Sequence, residues 1–150
     1  MITALILRTD EGWSETPYYC TEQFPTIGYG FKIGEKHAPL PNIKMTREEG
    51  EKRLESHIES AEKTLSMHIN TRHVFNHLND VRKAVLISLF YQSGFTGLLK
   101  FRKMWIALEA QEYELAATEC LDSLAAKQAP KRFARNAYML RTGELHAYYG

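Results

Sequence analysis

The spacing of apolar residues along this chain changes character several times, and each change predicts an element. Between residues 2 and 11, Ile2, Leu5 and Ile6 fall on one helical face, with Arg8 and Asp10 read toward water. Gly12 supplies a stop signal, which places Glu11 at the end of a rigid element. From 14 to 34, aromatic and β-branched residues alternate with polar ones, broken by Pro17, Pro25, Gly28, Gly30 and Gly34. That pattern predicts a small, twisted, antiparallel sheet of about three short strands. Pro39, Pro41 and Asn42 mark a loop over 35–45. Thr46-Arg47-Glu48-Glu49 then forms a capping box, with Glu49 reaching back to Thr46. It predicts a long helix to about Met67, on which Leu54, Ile58, Ala61 and Leu65 make a narrow apolar stripe. A stripe that narrow suits a helix bridging two lobes.

After Asn70 the helical signals crowd together. Asn79 and Asp80 open a segment, Val81 to Gln92, that is apolar nearly all round: Ala84, Val85, Leu86, Ile87, Leu89 and Phe90. This marks a buried central helix, punctuated by Gly94 and Gly97. Shorter helices are expected at 102–110, 113–121 and 130–141, with Pro130 in the first turn of the last and Gly143 closing it. The pattern describes an α+β chain that is mostly helical, within one domain. A β lobe is expected over 13–46, a connecting helix over 47–67, and a helical lobe from 1–12 and 68–150.

Composition narrows the class. Hydrophobic residues make up 44% of the 150, enough for a core. A net charge of +1 gives no field that would steer the chain to nucleic acid. No apolar run approaches the roughly 20 residues that span a bilayer, and the short run from Met1 to Arg8 lacks the basic lead-in of a secretory signal. Cys20 and Cys120 do not suggest a disulfide framework, so a reducing compartment at synthesis is the simplest reading. His73 and His77 can share a helix face with His68 nearby, but no third ligand completes a metal site. Neither metal nor cofactor is expected.

The polar stretch from 11 to 30 is where chemistry is expected. It holds a carboxylic acid (Glu11), a thiol (Cys20) and a hydroxyl (Thr26). An acid at a helix end facing a polar sheet can protonate a leaving-group oxygen, although a lone glutamate is more often a surface residue. Lys127, Lys131, Arg132, Arg135 and Arg141 form a run free of acids between 123 and 142. It reads either as a rim that captures an anionic polymer or as a solvated helix face.

Glu11, Cys20 and Thr26 stand at the spacing of the catalytic triad of the T-even phage lysozymes, glycoside hydrolase family 24, whose middle residue is Asp or Cys. The resemblance extends to Leu7-Arg8, Asp10-Glu11-Gly12, Thr26-Ile27-Gly28-Tyr29-Gly30, Asp80-Val81-Arg82-Lys83-Ala84, Gly94-Phe95-Thr96-Gly97, Pro130-Lys131-Arg132 and Arg141-Thr142-Gly143. It covers nearly the whole chain, with one contraction between the sheet and the long helix. It implies a two-lobed phage-lysozyme-like fold and an endolysin muramidase. Such an enzyme cuts the β-1,4 bond between N-acetylmuramic acid and N-acetylglucosamine in peptidoglycan, with inversion. Glu11 matches the proton donor, Cys20 and Thr26 the pair that holds water, and Arg132 the arginine paired with the acid. By counting from the matched blocks, the sugar-contacting positions fall at Gly30, Lys32, Tyr91, Met104 and Glu119; Lys32, Met104 and Glu119 depart from the T-even residues.

Cys20 is either an active water-positioning group, in part as thiolate, or a small filler beside Thr26. A monomer made in the host cytoplasm and acting on the periplasmic wall is expected, and the resemblance further implies release through a holin. A non-catalytic wall-binding or structural protein, and a bacteriocin or effector domain, are the competing readings.

Overall fold

The structure, a computed structural model, describes residues 2–150. It opens with helix α1 (Ile2–Glu11), whose end is marked by Gly12 N–H donating to the Arg8 carbonyl at 3.1 Å. Strands β1 (Ser14–Tyr19), β2 (Pro25–Gly28) and β3 (Phe31–Lys32) form one antiparallel sheet in that order. The register sets Tyr18 opposite Thr26 and Thr26 opposite Lys32. Directly opposed residues project from the same face, so these three side chains form a row across the sheet.

Helix α2 (Arg47–Met67) starts as its capping box predicts: the Thr46 hydroxyl accepts from Glu49 N–H, and the Glu49 carboxylate accepts from Thr46 N–H, each at 3.1 Å. Its buried stripe is Gly50, Leu54, Ile58, Ala61 and Leu65. Thr46→Ala should cost about 1 kcal/mol, read as a lower urea midpoint at unchanged slope. The Thr46 amide and hydroxyl hold the Glu49 carboxyl below its ordinary value. The box therefore contributes fully above the ordinary glutamate range, and the contribution fades as pH falls through the lowered value.

The helical part contains α3 (Arg72–Asn76), α4 (Asp80–Leu99), α5 (Arg102–Glu109), α6 (Tyr113–Leu121), α7 (Leu124–Gln128) and α8 (Pro130–Thr142), then a 3-10 turn over Ala147–Tyr149. The helix expected over 81–92 continues past Gln92 to Leu99, broken at Gly94, whose φ of 73° a side chain would disfavour. Ala84, Val85, Leu86 and Leu89 on it are fully buried. No single helix among the described residues is long and apolar enough to cross a membrane.

Two apolar clusters meet along α1. Ile6 belongs to the larger, which gathers α4, α6 and α8; Ala4 and Leu7 belong to the smaller, with Ile27, Tyr29, Phe31, Leu54 and Ile58. One short helix thus faces both clusters, and its C-terminal end lies at their junction. Asp10 corrects the sequence reading: it does not face water, and its side chain is wholly buried against Arg132 and Arg135 of α8. A carboxylate is kept inside only where cations meet it.

Candidate active site

Glu11, the last residue of α1, points its carboxylate at α8. Arg132 Nη1 donates to Glu11 Oε2 at 2.6 Å, and the two side chains are 13% and 17% exposed. Arg132 Nη2 also donates to the buried Ser88 hydroxyl at 3.3 Å. Its Nε lies 3.3 Å from Asp10 Oδ2, close enough for attraction but not aligned as a hydrogen bond. Asp10 in turn accepts from Arg135 at 2.9 Å and from the Tyr149 hydroxyl at 2.8 Å. Two carboxylates and two guanidiniums therefore form a balanced, half-enclosed cluster. The predicted Arg132–Glu11 contact is present. The basic run of 123–142 is not a uniform rim, because Arg132 and Arg135 turn inward to these acids while Lys127, Lys131 and Arg141 stay exposed.

The sheet and its turns carry the other members, and one of them meets the acid. Gly30, at φ 78°, lies against the acid: a Cβ there would collide with Glu11 Oε1. Only glycine satisfies both the backbone angle and the approach. Thr26 is almost fully buried and donates to the Phe24 carbonyl at 2.8 Å. Cys20, just past β1, is partly exposed, and its Sγ accepts from Phe24 N–H at 3.4 Å. Burial pushes its thiol up, but the polar surroundings of the Phe24 and Glu22 backbone and the Thr26 side chain, with the nearby Lys32 charge, outweigh that and leave it below its ordinary value. Cys120 is buried without such partners and is pushed up to about 12. Cys20 should therefore be alkylated by iodoacetamide well before Cys120 at pH 7–8; equal rates on intact protein would contradict the thiolate-favouring environment.

Tyr18 was not singled out from the sequence. Burial, then the charges of Glu11 and Cys20, push its hydroxyl up. Its register opposite Thr26 is the signal that could have found it.

Of the remaining sequence candidates, Gly30, Lys32 and Tyr91 line one groove of about 500 Å³. Tyr91 donates to the Tyr29 carbonyl at 2.6 Å, and burial raises its hydroxyl far above the ordinary range. Lys32 Nζ sits 4.0 Å over the Phe24 ring. Met104 and Glu119 line a second groove of about 510 Å³, and Ser93 borders both. Met104 is 1% exposed, so it packs in the core and offers a sugar almost no surface. Among the described residues no group of three or more His, Cys, Asp or Glu side chains is placed to hold a metal.

Residues 8–132 match the family described as Phage lysozyme. The chain is 26% identical to "Probable T4-type lysozyme 1" of Dictyostelium discoideum, covering 95% of both chains. It is 30% identical to "Probable T4-type lysozyme 2" of the same organism, covering 99% of both. It is also 28% identical to "Pre-baseplate central spike protein Gp5" of Enterobacteria phage T4, covering 99% of this chain and 29% of that one.

Proposed function

Since the chain belongs to the phage lysozyme family and is a glycoside hydrolase acting on peptidoglycan, we propose that Glu11 is its general acid and that cleavage proceeds with inversion. The supporting observation is the carboxylate of Glu11, part-buried between Arg132 and the bare backbone of Gly30, two residues past the strand that carries Thr26. In this reading the glycosidic oxygen takes the Glu11 proton as the bond from the muramyl anomeric carbon breaks. Water held by Cys20 and Thr26 attacks that carbon from the opposite face, and the proton it sheds passes to bulk solvent. Glu11 ends as carboxylate, and exchange with solvent restores its proton. Arg132 favours the ionised acid, so a bound sugar that shields Glu11 and loosens this contact would favour the protonated form the reaction needs.

Host-cell lysis is the proposed setting, with synthesis in the host cytoplasm, release through a holin and action as a monomer on the periplasmic wall. The similarity to a virion spike protein supports a second setting, in which the same hydrolysis opens the wall from outside. Analysis of the products by mass and NMR tests the chemistry. A new reducing end at N-acetylmuramic acid, appearing first as the α-anomer, is expected. Reducing N-acetylglucosamine, or an initial β-anomer, rejects the assignment.

A further inference from the structure

The hairpin turn beside the catalytic acid is built from residues that do not hold a shape by themselves. Gly28 and Gly30, at φ 68° and 78°, bracket Tyr29 between β2 and β3. Glycine adopts such angles without a steric penalty, and for the same reason it resists little when turned away from them. Yet Gly30 is the backbone that lies against Glu11 Oε1. Its position has to be set by contacts from outside the turn.

The Tyr29 side chain supplies part of the hold. It is 2% exposed and its ring packs 4.9 Å from that of Trp13. The backbone is held from another side. Tyr91, on α4, donates its hydroxyl proton to the Tyr29 carbonyl at 2.6 Å, across 62 positions of sequence. Among the described residues this is the one hydrogen bond that joins residues 13–46 to residues 68–150. A peptide unit is a rigid plane running from one α-carbon to the next. Fixing the Tyr29 oxygen therefore fixes the direction in which the α-carbon of Gly30 follows.

The donor is itself braced. Helix α2 contributes Arg53 and His57 to the groove that Gly30 and Tyr91 line. His57 meets the Tyr91 ring edge-on at 5.7 Å and stacks on Phe31 at 5.5 Å. Burial raises the Tyr91 phenol far above its ordinary range, so it stays a donor across neutral pH. A phenol has one proton to give, and here that proton is committed to the Tyr29 carbonyl. The resemblance that places a sugar contact at this position then concerns the ring.

We propose that Tyr91 is a positioning residue, whose hydroxyl ties the Tyr29–Gly30 peptide to α4 and so keeps Gly30 against the Glu11 carboxylate. The assignment rests on the reading of Glu11 as general acid and adds to it a group, outside the acid's own hydrogen bonds, that governs how closely the acid is confined. Without the tie the glycine-bracketed turn swings, and Glu11 is out of line with the glycosidic oxygen for part of the time.

The test uses the full chain and Tyr91→Phe, which removes one oxygen atom and keeps the ring. On soluble, uncross-linked glycan strands this variant should lower kcat about three- to tenfold, the range of one lost hydrogen bond, with KM within about twofold of wild type. Relaxation dispersion of backbone amides should show microsecond-to-millisecond exchange at Gly30 in the variant and none in wild type. A wild-type kcat overturns the proposal. So does a rise in KM alone, since the hydroxyl would then serve the sugar directly. A kcat loss with an unchanged Gly30 amide overturns it too, because the effect would arise elsewhere. A Glu11→Gln enzyme that keeps its rate would instead reject the acid, and the Gly30 amide would still report whether the tie holds the turn.

Discussion

Glu11→Gln is expected to lower the rate of wall hydrolysis by about 100- to 10,000-fold, the usual contribution of a positioned general acid. Glutamine has the same shape and can still accept from Arg132, whose Nη1 is 2.6 Å from the present carboxylate. What disappears is the transferable proton. The leaving sugar then departs as an unprotonated alkoxide, and the remaining catalysis comes from binding and from the water held by the sheet. Because Asp10 still faces Arg132, the fold should be retained, and circular dichroism with thermal unfolding checks this. Turbidity loss on purified walls within about tenfold of wild type would remove Glu11 from the reaction.

The largest expected effect on stability comes from the neighbouring carboxylate. Asp10→Ala removes an acid with no exposed side-chain surface that partners Arg132, Arg135 and Tyr149. The two guanidiniums, 13% and 15% exposed, keep only Glu11 as a counter-charge. Leaving such groups uncompensated costs about 3–5 kcal/mol, far above the value of an exposed pair. For a chain of this size that is a fall in Tm of about 6–20 °C. A loss below about 1 kcal/mol in urea titration would mean that water replaces Asp10 readily and that the cluster is looser than its geometry implies. Activity should fall as well, because Arg132 would be free to bind Glu11 more tightly.

What could be read from the sequence, and what could not, follows the range of the forces involved. The start of α2 was legible because a capping box is written in neighbouring residues, Thr46 and Glu49. The core helix was legible because residues 84–90 are apolar nearly all round, and α8 because Pro130 and Gly143 bracket it. Helices α3 and α7 were not, since five residues hold too little periodicity to register. Asp10 was misread for a different reason. Helical periodicity assigns polar residues to the solvent side, and it holds no information about two arginines more than 120 positions away that make burial tolerable. In the candidate site, Glu11, Cys20 and Thr26 were singled out through their spacing and family likeness. Tyr18 escaped because an aromatic in a strand is ordinarily core, and only the pairing with Thr26 shows where it lies. Arg53 and His57 lie off the apolar stripe of α2, and their place in a groove wall depends on the sheet packing opposite them.

The contacts that hold Glu11 and Asp10 come from residues 132, 135 and 149, at separations of 121 to 139 positions. Contacts so distant in the chain close late, after local helices have formed. During translation, therefore, the acid emerges early and waits for almost all of this sequence before it meets its counter-ion. A ribosome paused before residue 132 carries a nascent fragment from which both arginines are missing, so neither Glu11 nor Asp10 yet has its cation.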